Sequence, residues 1–140
     1  MRLSYYISSN MGQQHMTHKK TRQQLGKWAE DIACEFLRKH GYGIIERNWQ
    51  SRFGEIDIIA RDKGTLVFVE VKMRTSSGYG DAREAVPFWK CKRIITAARA
   101  YLMITRSELP ARFDVVIVES KGISLYQDAF QVEETCLHSF

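Results

Sequence analysis

The chain has 140 residues, of which 44% are hydrophobic and 26% are charged, and its formal net charge is +5. This length corresponds to one domain that buries about two-thirds of the surface its unfolded chain exposes. The positive charge is compatible with a polyanionic partner such as nucleic acid. No apolar run approaches about 18 residues, so the sequence predicts no membrane-spanning helix.

The cysteines are Cys34, Cys91 and Cys136. They are odd in number and far apart, and they form no C-x-x-C pair, which argues against a disulfide framework or a thiolate zinc site. This cysteine usage is compatible with a reducing compartment, and we expect the protein to be cytoplasmic.

The domain is expected to span residues 21–130. Residues 1–20 are expected to form a poorly ordered N-terminal extension, and residues 131–140 a C-terminal tail. Apolar side chains recur at helical spacing from residue 21 to residue 40, and Gly41 ends the pattern. Glu30 lies at the margin of this apolar stripe, a position typical of an ordinary boundary residue, although an acid there can reach the rim of a sheet beneath the helix.

Three strands are predicted next, over residues 42–49, 54–60 and 66–72, and the last two form a hairpin. Alternation places Glu55 and Asp57 on one face. A four-residue connection, residues 62–65, pairs Asp57 with Glu70 and Glu55 with Lys72, whereas a two-residue loop sets Glu55 opposite Glu70. The sequence does not choose between these registers, but the acids converge in both.

Facing carboxylates repel each other, and the repulsion is relieved by protonation or by a cation. A hard divalent ion held by one or two carboxylates, with several waters retained, relieves it, and Lys72 adds an ammonium group beside that ion. The alternative is a strand pair with one face in water. That alternative fits poorly, because the face with the acids also carries Ile59, Leu66 and Phe68.

A turn-rich loop follows at residues 75–80, and Pro87 is predicted to be the first residue of a second helix. The start of this helix alternates aromatic with basic side chains: Phe88, Trp89, Lys90, Lys92 and Arg93. Such a surface suits phosphate contact and stacking on bases or sugars, and equally a solvated basic face with aromatics in the core.

Strands are predicted over residues 112–118, in the sheet interior, and over residues 123–126. The second helix is a crossover that can lay the fourth strand parallel to a neighbour. The predicted fold class is therefore α/β, a mixed central sheet flanked by helices. Arg112 and Asp114 are interpreted as a structural ion pair at a strand entry.

The motif Asp57, twelve residues, then Glu70-Val71-Lys72, after a helix bearing Glu30, resembles the PD-(D/E)xK nuclease superfamily of the restriction-endonuclease-like fold. The element order is similar to the αβββαβ core of that fold. A closer resemblance is to the YraN-like family of small bacterial proteins, over about residues 22–130. It is carried by Gly54-Glu55-Ile56-Asp57, Phe68-Val69-Glu70-Val71-Lys72, Lys90, Arg112-Phe113-Asp114 and Asp128-Ala129-Phe130.

This resemblance implies an Mg²⁺- or Mn²⁺-dependent endonuclease that hydrolyses phosphodiester bonds in DNA and is similar to Holliday-junction resolvases of repair or recombination. The implied metal ligands are Asp57, Glu70, Glu30 and the Val71 carbonyl, with Lys72 as the catalytic lysine. Glu55 is expected to support the site, by holding Lys72 in preference to approaching the metal. The residues expected to bind phosphates are Arg74, Lys90, Lys92 and Arg93.

Two other functions are compatible with the sequence. The first is a non-catalytic nucleic-acid-binding module that acts as a scaffold in DNA or RNA metabolism. The second is a protein-interaction subunit in which exposed Trp49 and Trp89 mark a partner surface. The full set of acids favours the enzyme, with DNA preferred to RNA as its partner and a homodimer as its expected state.

Overall fold

The computed structural model describes residues 20–74 and 86–132, and in addition the backbone of residues 2–7. The elements are β1 (Arg2–Ile7), α1 (Arg22–Lys39), β2 (Gly43–Ser51), β3 (Gly54–Asp62), β4 (Thr65–Arg74), α2 (Phe88–Thr105), β5 (Ala111–Glu119) and β6 (Gly122–Gln127). The predicted loop at residues 75–80 lies outside the described residues, as does the predicted tail beyond residue 132. Within the described ranges, no helix combines the length and apolar character needed to span a membrane.

The strands form one sheet in the order β1-β6-β5-β4-β3-β2. β4 and β5 are parallel, and the other neighbouring pairs are antiparallel. Helix α2 is the crossover that makes the parallel pairing possible. The predicted mixed α/β sheet is confirmed, and so is the interior position of β5, which lies between β4 and β6.

Helix α1 begins at a capping box, in which Thr21 accepts a hydrogen bond from the Gln24 amide and the Gln24 side chain accepts one from the Thr21 amide. It ends at His40, followed by Gly41 with a φ of +87°. A left-handed residue at this place is favoured when it is glycine. The helix therefore lies within one residue of its predicted bounds at each end.

Two apolar cores lie on opposite faces of the sheet. One is formed with α1 and contains Ile58, Val67 and Val69, and the other is formed with α2 and contains Ile59 and Phe68. The hairpin of β3 and β4 is thus buried on both faces, as its composition predicts. Charged groups placed in this hairpin must be neutralised or paired.

The alternation of side chains breaks in β3. Ile56 was expected on the same face as Ile58, but it packs on the α2 side with Ile59, whereas Ile58 packs on the α1 side. The expected strict alternation is therefore wrong before Ile58. Arg47 of β2 pairs with Ile58 and Trp49 pairs with Ile56, so Asn48 lies directly opposite this break. Asn48 has a left-handed backbone, with a φ of 51°.

Two further details differ from the sequence predictions. Residues 2–7, expected to lie in a poorly ordered extension, form the edge strand β1, which pairs antiparallel with β6. Their sequence alternates apolar with polar residues at positions 2–5, a pattern that a sheet edge accepts. Pro87 is the N-cap of α2 and not its first residue. Its extended backbone leaves the first turn to begin at Phe88.

The hairpin end of the sheet is held by a polar network around Asp114, which is fully buried. Asp114 accepts hydrogen bonds from Arg112 at 2.9 and 3.0 Å and from the Tyr42 hydroxyl at 3.0 Å. Arg112 also contacts Asp62 at 2.9 Å, and Gln127 donates to Tyr42 at 2.7 Å. Arg112 and Asp114 therefore form the predicted ion pair at the entry of β5, with links to β3 and β6.

Candidate functional site

The register of the β3–β4 hairpin brings the acids together. Ile58 pairs with Val69 and Ile59 with Phe68, which is the register expected to set Asp57 opposite Glu70. The pairing also extends to Asp62 and Thr65, so the turn itself consists of residues 63 and 64. The register is therefore the one that sets Asp57 opposite Glu70, but the expectation that it requires a four-residue connection, and that a two-residue loop sets Glu55 opposite Glu70, is wrong.

Asp57 lies where β3 and β4 stop pairing, beyond Ile58 and Val69. Its Oδ2 accepts a hydrogen bond of 2.8 Å from the backbone N–H of Val71. The Asp57 carboxylate therefore accepts the hydrogen bond of the Val71 amide in place of a backbone carbonyl of the neighbouring strand. The metal contact expected for the Val71 carbonyl stays a prediction, because the described contact is made by its amide.

Three carboxylates meet at this place. Oxygen atoms of Glu30, Glu55 and Asp57 all lie within 4.8 Å of one another. Glu30 comes from α1, and the break in alternation at Ile56 allows the neighbouring Glu55 to reach that side. Within the described residues no ion pair joins Glu55 to Lys72, and Glu55 lies with Glu30 and Asp57, so the supporting role expected for Glu55 stays a prediction.

Glu70 approaches the group from the α2 side and is only 3% exposed. Its Oε1 lies 2.6 Å from Nζ of Lys90, which is partly exposed at the start of α2. Burial lowers the pKa of Lys90, but the hydrogen bond to Glu70 and the negative charges of Glu70, Asp57 and Glu55 outweigh it and raise that pKa above its ordinary value. Lys90, expected to bind phosphate, thus serves as the counter-ion of Glu70 in this structure.

Asp57 holds its proton unusually tightly. Burial is the main cause, and the neighbouring charge of Glu70 is the second, so that its pKa rises to about 8 despite the hydrogen bond from the Val71 amide. Hydrogen bonding with Glu70 and the charge of Glu30 raise it further. Such a pKa is expected where several carboxylates share one small, buried volume and the neighbouring cations pair with Glu70 and Glu30.

Glu30 is held by residues that the sequence analysis did not select. Burial raises its pKa, while hydrogen bonding with the Asn48 side chain and the charge of Arg47 lower it. Arg47 lies 3.8 Å from Glu30 and 2.7 Å from Asp31, so it fastens α1 to β2. The available signal was Asn48 near the end of the strand predicted over residues 42–49, since strands disfavour asparagine.

The remaining predicted residues lie around this group. Lys72 shares the α2 side of β4 with Glu70, because the intervening Val71 and following Met73 pack against the α1 core. Arg74 ends β4 opposite Glu119 of β5. Lys92 and Arg93 are exposed on the first turns of α2, and Arg93 Nε lies 3.5 Å from the Phe53 carbonyl oxygen. Trp49, expected to be exposed, is half-buried and makes an edge contact with Tyr101.

The group fits a hard divalent cation. It offers carboxylate oxygens from Glu30, Glu55 and Asp57, with Glu70 beside them, and oxygen is the ligand that Mg²⁺ and Mn²⁺ prefer. Burial is the main cause of the raised pKa of Asp57, and a cation between Asp57 and Glu70 would offset the second cause, the charge of Glu70. The structure brings Glu30, Glu55 and Asp57 together and places Glu70 beside Asp57, and their role as metal ligands stays a prediction.

A helix, three antiparallel strands, a crossover helix and a parallel strand form an α/β domain consistent with the restriction-endonuclease-like core. The chain belongs to the family described as "Uncharacterised protein family UPF0102", which matches residues 29–118, and this is the YraN-like family that the sequence resembles. The UPF0102 protein of Persephonella marina is 44% identical over 109 residues, or 77% of this chain and 94% of the relative. Those of Nitrosospira multiformis and Desulfosudis oleivorans are 44% and 46% identical, over 76% and 78% of this chain and 92% and 91% of their own lengths.

Proposed function

We propose that the protein is a metal-dependent nuclease that hydrolyses phosphodiester bonds in DNA. The observation that carries this proposal is the convergence of Glu30, Glu55, Asp57 and Glu70 at the point where β3 and β4 separate. Four acids so placed have no structural benefit that offsets their repulsion. The Arg112–Asp114 pair shows how this fold neutralises a structural acid, whereas the group around Asp57 has Lys90 and the more distant Arg47 for four carboxylates.

Asp57 and Glu70 would hold Mg²⁺ or Mn²⁺, with Glu30 and Glu55 as further carboxylates and the Val71 carbonyl as a further ligand. When bound, the ion polarises the scissile phosphate and lowers the pKa of a water molecule. The contribution of the protein is to fix these oxygens on two strands and a helix before the substrate arrives. Asp57 must give up its proton, and Glu70 must exchange Lys90 for the ion.

Lys72 would stabilise the charge that develops on the phosphorane, or orient the attacking water, from the α2 side of β4. Arg74, Lys92 and Arg93 would bind flanking phosphates, and Lys90 would join them once it is released from Glu70. Exposed cations on a helix start and a strand end contact backbone phosphates without reading sequence. We therefore expect selection of DNA by its structure, as in a Holliday-junction resolvase of repair or recombination, and a homodimer where two strands must be cut.

The test is cleavage of labelled single-stranded DNA, duplex, flap, four-way junction and RNA, each with Mg²⁺, Mn²⁺ or EDTA. Asp57→Asn, Glu70→Gln and Lys72→Ala are compared with Glu35→Gln, which changes an exposed acid of α1 paired with Lys39. We expect metal-dependent cleavage that falls at least about a hundredfold in the first three variants and is unchanged in the last. Cleavage that survives in both Asp57→Asn and Glu70→Gln would show that the site is misassigned.

The same panel separates the nuclease from a non-catalytic scaffold. Binding to nucleic acid without cleavage under every condition would support the scaffold, and the acids would then serve another purpose. Their position beside the basic start of α2 speaks for catalysis, since uncompensated carboxylates would weaken a surface that only binds phosphates.

A further inference from the structure

A surface beside the acids combines exposed aromatic rings with exposed cations. Trp89 is 60% exposed, and Phe53 and Phe88 are about 40% exposed. We call it the aromatic–basic surface, and it consists of Arg52, Phe53, Phe88, Trp89, Lys92 and Arg93. Its two parts come from different elements, the β2–β3 turn and the start of α2.

The two parts are in contact. Arg93 lies against Gly54: a Cβ atom added to Gly54 would be 3.7 Å from both Cβ and Nε of Arg93. The Nε of Arg93 also approaches the Phe53 carbonyl oxygen. Trp89 and Arg93 are one turn apart on α2 and therefore share a face. The Arg52 guanidinium lies over the Phe53 ring at 4.8 Å, and the Lys92 ammonium over the Phe88 ring at 5.6 Å.

Both parts of this surface are close along the chain to residues of the acidic group. Phe53 precedes Glu55 by two residues on the chain, and Trp89 is adjacent to Lys90, the counter-ion of Glu70. A strand of nucleic acid whose phosphate lies at Asp57 would therefore have its neighbouring nucleotides over these rings. The position ties the surface to the substrate of the site and not to a remote partner.

Exposed aromatic rings that alternate with cations match one kind of ligand. Bases in a duplex are already stacked on each other, so a duplex presents only its phosphates and the base edges in its grooves to a flat protein surface. Unpaired bases present both faces, and each stacks on an aromatic ring while its phosphate meets a cation. Duplex contact alone would need the cations but not the rings.

Resting on the proposed function, we infer that the aromatic–basic surface binds unpaired nucleotides next to the scissile phosphate, with bases stacked on Trp89 and Phe53. Among the DNA structures that the proposed nuclease could select, the inference favours those with a single-stranded segment at the cleavage point, such as a flap or a duplex with an overhang, over a fully paired four-way junction.

The test is fluorescence anisotropy of a labelled single strand and of the duplex of the same sequence, measured in EDTA at fixed salt so that binding is separated from cleavage. Trp89→Ala and Phe53→Ala are compared with Met103→Ala, which removes a still more exposed apolar side chain at the other end of α2. We expect roughly tenfold weaker single-strand binding in the first two variants, no change in their duplex binding, and no change in Met103→Ala.

Trp89→Phe keeps a ring and is expected to bind the single strand close to wild type. Equal loss of single-strand and duplex binding in Trp89→Ala, or no loss of either, would overturn the inference. A change from dimer to monomer in light scattering, with unchanged nucleic-acid binding, would overturn it in favour of a protein interface. Single-strand binding that depends on Trp89, without cleavage by any metal, would sustain the inference and defeat the nuclease.

Discussion

Asp57 is the residue on which the acidic group is centred. It contacts the Val71 amide across the gap between β3 and β4, and it is close to Glu70 on one side and to Glu30 and Glu55 on the other. In the metal-free protein, the proton on Asp57 relieves the repulsion between these carboxylates.

The proton on Asp57 makes the stability of the metal-free protein depend on pH. Its pKa is about 8 in the folded protein and near 3.8 ordinarily, so the stability it contributes is complete below about pH 4 and is lost as the pH rises through 8. Asp57→Asn keeps an oxygen acceptor for the Val71 amide but carries no charge. In EDTA, urea denaturation should give similar free energies of unfolding at about pH 4, and at pH 9 a variant more stable than wild type by several kcal/mol. An equal difference at both pH values would contradict this account.

Lys90 has a measurable role in the metal-free protein. Lys90→Met leaves the buried Glu70 without its counter-ion, so we expect the free energy of unfolding to fall by about 1–2 kcal/mol, less than for a fully buried pair because Lys90 is one-third exposed. The same change removes a competitor of the ion, so Mg²⁺ should raise the melting temperature more than in wild type. Differential scanning fluorimetry with Arg99→Gln, an exposed cation of α2, as control measures both effects. Loss of the Mg²⁺-induced rise would show that Lys90 helps to hold the ion.

The pairing of β2 with β3 contains a local irregularity next to the acidic residues. Asn48 has a left-handed backbone, and opposite it the side-chain alternation of β3 breaks, so that Ile56 and Ile58 lie on different faces. Asparagine tolerates this backbone better than other non-glycine residues. Functional sites often keep such a local departure from ideal geometry. Here it frees Glu55 to reach Glu30 and Asp57.

Asn48 has separable effects on the backbone and on Glu30. Asn48→Gly keeps the left-handed backbone but removes the side chain that hydrogen-bonds Glu30, and Asn48→Ala also strains the backbone. Both variants should bind Mn²⁺ several-fold more weakly, and Asn48→Ala should be less stable than Asn48→Gly by about 1 kcal/mol. Mn²⁺ titrations and urea denaturation supply the two readouts. Wild-type Mn²⁺ affinity in both variants would restrict Asn48 to a backbone role.

The sequence predicted the regular parts of these elements because local signals agree there. Thr21 and Gly41 mark the two ends of α1. The apolar residues of β3 and β4 predict that these strands pair, and the observed register sets Asp57 opposite Glu70. It did not predict the position of Glu55. That position depends on a backbone break paired across two strands, and a period-two pattern contains no information on such a break.

In the whole domain, the acids and the Asp114 network occupy different parts of the sheet. The network joins the end of β3 to the start of β5 and the end of β6, whereas the acids lie near the start of β3. Its role could be predicted from Arg112 and Asp114, but its partners Tyr42 and Gln127 could not, because they meet only in the folded sheet. The edge strand β1 was missed for the same reason, since its partner β6 lies more than a hundred residues away.

Asp114 should matter to stability and not to chemistry. Asp114→Ala leaves Arg112 and Tyr42 without their common acceptor, and we expect the free energy of unfolding to fall by about 3 kcal/mol. Urea denaturation measures it, with Glu35→Ala as an exposed control that should change little. Cleavage per folded molecule, assayed well below the melting temperature, should be retained. A folded Asp114→Ala protein that has lost cleavage would place the network in the active site.

The most direct test of the central claim is an isothermal titration of Mn²⁺ into the metal-free protein at pH 8, with Asp57→Asn and Glu70→Gln measured beside wild type. The acids at the β3–β4 separation should bind Mn²⁺ in wild type, with proton release because Asp57 must ionise, and binding should be lost or at least about tenfold weaker in both variants. Absence of binding in wild type, or equal binding in all three proteins, would contradict the assignment of these carboxylates as a metal site.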